Sequence, residues 1–293
     1  MIDRLVLSAP QLKPILALRS KRQAASISPD LGLSEVEVEL RSRGLLFPDG
    51  QVLPWEAAEE IVEHPSACFL VEKGKSRPIQ DFSEYTNLFY SLMPTEGAPT
   101  LNVSGRSMHR IKGITPDQDT LEKIQAVSPI RGPVLDTCTG LGYTAIEAAK
   151  RAEVVTIELD PVVLDIARLN PWSQLLFDDP RIEQVIGDVG EEVRNFEDER
   201  FGCVIHDPPT LSLAGNLYSG DFYSQLSRVL RAGGRLFHYV GDLASVSVAN
   251  VAKGVIQRLR EAGFTDVRPR PEAFGLTARR ELTSRQFFTR EVK

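Results

Sequence analysis

The sequence predicts an α/β protein with a doubly wound, seven-stranded sheet and a smaller α+β N-terminal domain. From about residue 132 onward, short runs rich in β-branched residues alternate with helical stretches, a pattern typical of βαβ units and a mostly parallel sheet. The first 115 residues lack this alternation and show short strands and hairpin turns instead. We therefore predict one domain over 1–115 and a second over 116–293.

The second domain is predicted to contain the strands and helices of a Rossmann-like sheet. The predicted strands are 134–136, 154–158, 182–187, 203–206 and 235–240, and the predicted helices are 143–151, 161–169, 219–231 and 245–262. Asp160 followed by Pro161 supports the start of the second helix, because both residue types are favoured at a helix N-terminus. In such a sheet, ligands bind outside the carboxyl ends of the strands, near the switch in strand order.

The N-terminal domain carries local signals of strands and turns. Residues 35–40 alternate between Glu and an aliphatic residue, which indicates a strand with one solvated face. The sequence Pro-Asp-Gly at 48–50 and the sequence Lys-Gly-Lys at 73–75 each predict a turn between short strands, and residues 55–63 have a helical pattern. None of these patterns indicates a function.

Composition limits the possible classes of protein. The chain has 293 residues, of which 42% are hydrophobic and 25% are charged, so it can form a core without disulfides or metals. Cys68, Cys138 and Cys203 have no paired spacing, which excludes a disulfide framework and a zinc ribbon, and we expect no metal site. The N-terminal residues contain no apolar run long enough for a signal core or a membrane span, so we predict a cytoplasmic protein without a membrane partner.

The formal net charge is −6, whereas proteins that bind nucleic acids through phosphates usually carry a basic face. Segments 13–22 and 268–280 are candidate basic patches, and solvated surface is the alternative interpretation of both. We therefore expect a small molecule or a protein as substrate, rather than a nucleic acid.

A glycine-rich turn follows the first strand of the second domain. Its sequence is Asp136-Thr-Cys-Thr-Gly140-Leu-Gly142-Tyr-Thr-Ala145, and glycines there let the backbone approach a ligand closely. The same spacing, with Glu158 at the distance of a ribose-binding acid, also fits a dinucleotide-binding fingerprint. The glycines alone therefore leave the cofactor undecided.

Three acids follow three consecutive predicted strands and favour a cationic adenosine cofactor. Asp136 suits a position beside an ammonium group and would repel a pyrophosphate. Glu158 can accept both ribose hydroxyls, and Asp188 or its neighbouring amides can bond an adenine edge. Taken singly, each acid also has the ordinary role of a helix cap or turn former.

With these residues the chain resembles class I S-adenosylmethionine-dependent methyltransferases over roughly 116–293, although Cys138 stands where that family usually has its first glycine. Segments 179–182, 187–188 and 217–223 also resemble the spermidine synthase branch of that superfamily. Four segments resemble those of a group of predicted archaeal-type methyltransferases, namely SPDLGLSEVEVEL, DTCTGLGYTA, NPWS and HDPPTLSLAG. The resemblance implies S-adenosyl-L-methionine as cofactor, in contact with Asp136, Thr137, Gly140, Gly142, Glu158, Leu159, Asp188 and Val189.

The segment His206-Asp207-Pro208-Pro209-Thr210 follows the fourth predicted strand. In amino-methylating relatives the corresponding motif is Asp or Asn, two prolines and an aromatic residue. The resemblance implies that Asp207 and the Pro208 carbonyl hold a target NH2 and aim its lone pair at the sulfonium methyl. This is mainly a positioning effect, to which Asp207 can add general-base help. Thr210 cannot stack on a nucleobase, which disfavours adenine or guanine as the target.

Four aromatic side chains near this segment are candidates for the same site, each with a structural alternative. Tyr218 or Tyr223 supplies the missing ring, or else packs the following helix on the sheet. His206 and His238 end neighbouring strands, where His206 acts as a proton relay or both rings support the core.

The leading prediction is an N-methyltransferase that acts on an unidentified amine-bearing substrate, with a homodimer as the candidate assembly. Transfer of an aminopropyl group from a decarboxylated cofactor is the first alternative. Arg110 and residues 117–120 precede the first strand of the second domain and are candidates to close over the methionine carboxylate. This role favours the intact cofactor over the decarboxylated one. The alternative is that these residues lie on the surface. A non-catalytic cofactor-binding protein is the second alternative, and the intact Asp-Pro-Pro sequence at 207–209 argues against it.

Overall fold

The structure is a computed structural model, and it describes residues 4–21 and 23–282. The strands in these residues are β1 Leu5–Ser8, β2 Ala24–Ile27, β3 Val36–Arg41, β4 Gly44–Leu46, β5 Val52–Pro54, β6 Cys68–Glu72, β7 Lys75–Pro78, β8 Gln80–Ser83, β9 Leu88–Met93, β10 Thr100–Val103, β11 Arg106–Ser107, β12 Val134–Asp136, β13 Val154–Glu158, β14 Ile182–Ile186, β15 Phe201–His206, β16 Leu230–Tyr239, β17 Phe264–Arg270 and β18 Gly275–Arg280. The helices are α1 Ala9–Leu18, α2 Trp55–Glu63, α3 Pro116–Val127, α4 Tyr143–Ala149, α5 Pro161–Leu169, α6 Gln174–Asp178, α7 Val189–Asn195, α8 Gly220–Val229 and α9 Val246–Glu261, with 3-10 turns at Pro171–Ser173 and Gly215–Tyr218.

The chain forms two compact units. The first contains the chain up to Gln118 together with Asp160–Phe177, and the second contains Asp119–Leu159 and the chain from Asp178 onward. The predicted boundary at 115/116 lies close to the end of the first stretch. The segment Asp160–Phe177, which the sequence places in the domain 116–293, instead belongs to the N-terminal unit.

Long-range hydrogen bonds explain why this segment belongs to the first unit. The Thr86 hydroxyl donates to the Asp160 carboxylate across 2.6 Å, and the indole N–H of Trp172 donates to the Leu31 carbonyl across 3.1 Å. Asp160 also accepts the backbone N–H of Val162 at 3.0 Å, so the predicted N-cap of α5 is confirmed. One carboxylate thus begins a helix and binds the β8–β9 hairpin to it.

The rest of the first unit contains α1, α2 and three small antiparallel sheets, with the strand orders β1-β6-β7, β2-β3-β4-β5 and β11-β10-β9-β8. The predicted strand at 35–40, the two predicted hairpin turns and the predicted helix at 55–63 are confirmed as β3, β4–β5, β6–β7 and α2. Large apolar side chains such as Trp55, Phe47 and Leu12 are fully buried between these elements and α1.

The second unit is built on a seven-stranded sheet with the order β14-β13-β12-β15-β16-β18-β17. Its strands are parallel except β18, which pairs antiparallel with both of its neighbours. The predicted doubly wound, seven-stranded fold is confirmed. The order reverses beside β12, so the switch point lies between β12 and β15.

Apolar residues on both the strands and the helices build the core of the second unit. Helices α7, α8 and α9 pack on the sheet through one buried cluster, to which Val193, Leu226 and Leu259 contribute from the helices. β16 begins five residues before the predicted strand at 235–240, because Leu230 already pairs with Phe201. Among the helices of residues 4–21 and 23–282, none combines the length and hydropathy that a membrane span requires.

Strand register brings the predicted acids to one edge of this sheet. Asp136 lies opposite Thr156 of β13 on one side and Ile205 of β15 on the other, and Glu158 lies opposite Ile186 of β14. Since the four strands are parallel, their carboxyl ends meet at the same edge. Asp136, Glu158, Asp188 and Asp207 all end or follow these strands.

Candidate active site

The glycine loop at residues 137–142 is held between two strands. The backbone N–H of Thr137 donates to Ile205 of β15 across 3.0 Å, and that of Thr139 donates to Ile157 of β13 across 2.9 Å. Gly140 and Gly142 have φ values of 54° and 78°, a left-handed backbone that favours glycine. The sequence therefore needs glycine at both positions for the chain to turn directly from β12 into α4.

Glu158 connects this loop to the next strand. Its Oε2 accepts the backbone N–H of Gly140 at 2.8 Å, and its carbonyl accepts the N–H of Gly187 at 2.9 Å. The side chains that flank it at the edge are apolar and exposed, namely Leu159 at 42% and Ile186 at 57%. An anionic acceptor beside an exposed apolar surface suits a ligand with both polar and aromatic parts.

Asp188 and Val189 lie at the start of α7. Asp188 is exposed and is the N-cap of that helix, since its Oδ1 accepts the N–H of Gly190 at 2.8 Å. Val189 is buried and contributes to the core cluster. Asp188 therefore has a structural task in addition to the ligand contact predicted for it.

Asp136 is fully buried, and its surroundings differ from those expected for a residue in contact with a cofactor. Thr144 donates to its Oδ1 at 3.1 Å and Thr156 donates to its Oδ2 at 2.8 Å. The Thr139 hydroxyl lies 2.7 Å from that of Thr156 and extends the network to the glycine loop. Burial raises the pKa of Asp136 to about 7, although both threonine hydrogen bonds act to lower it.

Asp207 comes directly after β15 and forms an ion pair that the sequence analysis missed. Its Oδ2 lies 2.6 Å from Nζ of Lys123, and the same Nζ lies 2.9 Å from Oδ2 of Asp119. The Lys123 and Asp119 side chains are 4% and 0% exposed, whereas that of Asp207 is 21% exposed. The only available signal was the i,i+4 spacing of Asp119 and Lys123 on α3, which indicates a helical ion pair but not its third member.

His206 lies in the interior, with both ring nitrogens in hydrogen bonds. Nδ1 is 2.7 Å from the Thr137 hydroxyl and Nε2 is 3.0 Å from the Leu217 carbonyl. Because a carbonyl can only accept, Nε2 carries the proton and Nδ1 accepts from Thr137. Burial lowers the pKa of His206 to about 3, so the ring is neutral. His206 thus connects the glycine loop to the segment that follows the Asp-Pro-Pro sequence.

The tyrosines considered for stacking on a substrate also lie inside the protein. Tyr223 is fully buried and its hydroxyl is 2.8 Å from Nε2 of His238, while Tyr218 is 3% exposed and donates to the Pro209 carbonyl at 3.0 Å. Both rings pack the 3-10 turn and α8 on the sheet, which is the structural alternative given for them. Thr210 is exposed.

Other predicted residues belong to the first unit, to β17 and β18, or to segments outside the described part of the chain. Arg110 is a residue of the first unit. In the basic segment 13–22, Arg22 lies outside the described residues, as do residues 283–293 of the second predicted domain. In the other basic segment, 268–280, Arg268 pairs with Asp266 at 2.6 Å and Arg280 donates to the Leu230 carbonyl.

Relatives of this chain include an uncharacterized protein, a polyamine aminopropyltransferase and a putrescine N-methyltransferase. It is 41% identical over 268 residues to a protein of Methanocaldococcus jannaschii named only as uncharacterized, a match that covers 89% of this chain and 91% of that protein. It is 32% identical over 148 residues to a polyamine aminopropyltransferase of Mycobacterium tuberculosis, with 47% of this chain and 28% of that enzyme covered. It is 27% identical over 161 residues to putrescine N-methyltransferase 2 of Nicotiana attenuata, with 53% and 43% covered. The chain thus spans less than half the length of these two transferases.

A solved structure has the same fold. Spermidine synthase from Thermotoga maritima superimposes with a TM-score of 0.54 at 22% identity, over 69% of this chain and 71% of that one. No protein-family model matches the chain.

Proposed function

The chain belongs to the class I S-adenosylmethionine-dependent methyltransferase superfamily, in the group related to the spermidine synthase branch, and from this premise we propose that it transfers a methyl group to an amine nitrogen. The observation that carries the proposal is the position of the Asp207 carboxylate. It follows β15 beside the switch in strand order, Lys123 holds one of its oxygens, and its side chain is 21% exposed.

The charge of the site favours a cationic substrate. Asp119, Lys123 and Asp207 together carry one net negative charge when all three are ionised, and Glu158 adds another at the same edge. Such an edge attracts ammonium groups and the sulfonium of a cofactor, and it repels phosphates. This supports an amine carried by a small molecule or a protein rather than a nucleic acid.

Several of the predicted positions support the proposal of an S-adenosyl cofactor at this edge. Gly140 and Gly142 give the loop a left-handed backbone without side chains, Glu158 is the proposed ribose acceptor, and Leu159 offers an exposed apolar surface for the adenine. When bound, the cofactor supplies an electrophilic carbon on a sulfonium. Asp136 enters the proposal as a support of the loop from the interior, because both of its oxygens accept threonine hydroxyls.

The proposed chemistry of the protein is mainly positioning. Asp207 accepts an N–H of the amine and so fixes the direction of the nitrogen lone pair, and the Pro208 carbonyl is the second acceptor. Correct orientation of reacting groups can supply roughly 7–11 kcal/mol of the barrier. His206 contributes by holding Thr137 of the glycine loop, since its ring is buried and neutral.

Transfer of an aminopropyl group is the second candidate function. Similarity to a polyamine aminopropyltransferase favours it as strongly as similarity to a putrescine N-methyltransferase favours methylation. The two reactions place the same demand on Asp207, because each needs an oriented amine. They differ in the cofactor, which is decarboxylated in aminopropyl transfer.

The deciding experiment offers the purified protein both cofactors. Each is incubated with diamines, polyamines, lysine-containing peptides, transfer RNA and cell extract, and the products are analysed by mass spectrometry. A methylated amine with the intact cofactor supports the proposal, and an aminopropylated amine with the decarboxylated cofactor supports the second candidate. Calorimetric binding of a cofactor without any product would indicate a non-catalytic cofactor-binding protein.

A further inference from the structure

Lys123 is a buried cation at the candidate active site. Its Nζ lies between Asp207 at 2.6 Å and Asp119 at 2.9 Å, and 5.1 Å from the centre of the Tyr239 ring at the end of β16. A buried ammonium is costly unless it is paired and hydrogen-bonded. Burial disfavours the charged form, but Asp207 and Asp119 together raise the pKa of Lys123 above its ordinary value. The side chain is therefore a fixed positive charge.

The two carboxylates that hold this charge differ in exposure. Asp119 is fully buried on the same helix as Lys123, so it serves to hold the ammonium in place. Asp207 belongs to a different element and is the member of the group that reaches the edge of the sheet. Lys123 thus joins α3 to the end of β15 at the residue proposed to bind the amine.

We propose that Lys123 is a positioning residue, which keeps the Asp207 carboxylate ionised and in one orientation so that it accepts a hydrogen bond from the substrate amine. This inference rests on the proposed function. An ammonium at this distance disfavours protonation of the carboxylate. Asp207 then acts as a hydrogen-bond acceptor for an amine that reacts in its neutral form. The nitrogen bonds to the transferred carbon as the carbon–sulfur bond breaks to leave a neutral thioether, and the cationic product gives its proton to water rather than to Asp207.

Other titratable groups also act on Asp207. Electrostatic interactions reach it from Asp136 and Cys138 in the glycine loop region and from Tyr218 in the 3-10 turn. Asp119 pairs with the same Lys123 ammonium. All of these groups are neutral or negative, so none of them can replace the positive charge of Lys123. Removal of Lys123 should therefore raise the pH at which Asp207 takes up a proton.

The test compares three variants with the wild-type full chain. Lys123→Arg keeps the charge. Lys123→Met combined with Asp119→Asn removes the cation together with its structural counterion, and so avoids leaving a second uncompensated buried charge. Arg228→Met is the matched control, because Arg228 pairs with Asp198 at 2.7 Å in the same unit and makes no contact with Asp207.

Two pH titrations are measured for each protein: that of the Asp207 carboxyl carbon by NMR, and that of the transfer rate. In the double variant we expect both the carboxyl titration and the acid limb of kcat/KM to move up by about 1–3 pH units. Lys123→Arg, which keeps the charge, should leave both curves at their wild-type positions, and so should Arg228→Met. An unchanged carboxyl titration in the double variant overturns the proposal, as does a loss of activity that is uniform across pH. If the wild type alkylates no amine, the proposed function fails, and the carboxyl titration alone still decides whether Lys123 controls the ionisation of Asp207.

Discussion

The Glu158 carboxylate accepts the backbone N–H of Gly140 across 2.8 Å, so the acid predicted to bind the ribose also holds the glycine loop. The two residues are eighteen positions apart and lie at the carboxyl ends of adjacent strands. A change at Glu158 therefore affects the ligand contact and the loop at the same time, and a pair of substitutions is needed to separate the two effects.

The first prediction separates them. Glu158→Ala removes the ribose acceptor and the loop contact, and each lost hydrogen bond to the carboxylate should cost about 1.5–3 kcal/mol, so cofactor affinity should fall more than tenfold. Glu158→Gln keeps one oxygen for Gly140 and should lose affinity while the loop stays ordered. Calorimetry gives the affinities, and hydrogen exchange at Gly140 reports the loop. Wild-type affinity in Glu158→Ala would rule out the ribose assignment.

The second prediction concerns the left-handed backbone at Gly142. An alanine there places a Cβ in a conformation that costs about 1–2 kcal/mol, so Gly142→Ala should lower the free energy of unfolding by that amount and weaken cofactor binding. Gly220→Ala is the control, since a Cβ at that position meets no atom within 4 Å. Chemical denaturation measures both variants. Equal stability of the two variants would mean that the loop does not require this backbone conformation.

Sequence reasoning located the edge of the sheet but not the depth of each residue. The strands around Asp136, Glu158 and Asp207 have strong β-branched or apolar patterns, and parallel strands bring their carboxyl ends together without any further information. Whether a carboxylate at such an end faces ligand or core depends on neighbours in space. Asp136 faces Thr144 and Thr156, and nothing in its own motif distinguishes it from an exposed acid.

The residues that sequence reasoning missed depend on partners far away in the chain. Lys123 is 84 positions from Asp207, and no local pattern on α3 indicates that pairing. The assignment of residues 160–177 to the first unit has the same cause, because its hydrogen bonds come from Thr86 and go to Leu31. A helix cap is local and Asp160 was predicted as one, whereas its second partner could be found only in the structure.

The third prediction concerns the role of Asp207 in transfer. If Asp207 orients the amine, Asp207→Ala should lower kcat and kcat/KM together, on the order of 10²-fold, with cofactor affinity almost unchanged. Asp207→Asn keeps an acceptor oxygen and should retain more activity. Asp221→Ala, an exposed acid of the same unit that pairs with Arg194, is the control and should have wild-type rates. Equal loss in Asn and Ala would identify the carboxylate as a base, and no loss in either would place the chemistry elsewhere.

The fourth prediction concerns Asp136, because burial raises the pKa of this carboxyl from 3.8 to about 7. Between these two values the folded protein binds more protons at this site than the unfolded chain does, so stability from this group is present at low pH and is lost as pH rises towards 7. Asp136→Asn stays neutral throughout and keeps one acceptor oxygen for the threonines. Its free energy of unfolding relative to the wild type should therefore rise with pH, by at most about 1.4 kcal/mol per pH unit, and level off above pH 7.

The measurement for Asp136 must remove the opposite contribution of His206. Burial lowers the pKa of His206 from 6.5 to about 3, so its neutral ring favours the folded state above pH 6.5, and that stability is lost as pH falls towards 3. The wild-type curve mixes the two groups, whereas the difference between Asp136→Asn and the wild type contains only Asp136. Urea denaturation from pH 4.5 to 8.5 gives this difference, because the range covers the rise and its end near pH 7. Asp160→Asn is the control of opposite sign. Burial acts to raise the pKa of Asp160, but hydrogen bonds from Thr86 and Val162 lower it below its ordinary value. The loss of stability in this variant should therefore be largest at neutral pH. A difference curve for Asp136→Asn that is flat would show that Asp136 is ionised in the folded protein over the whole range.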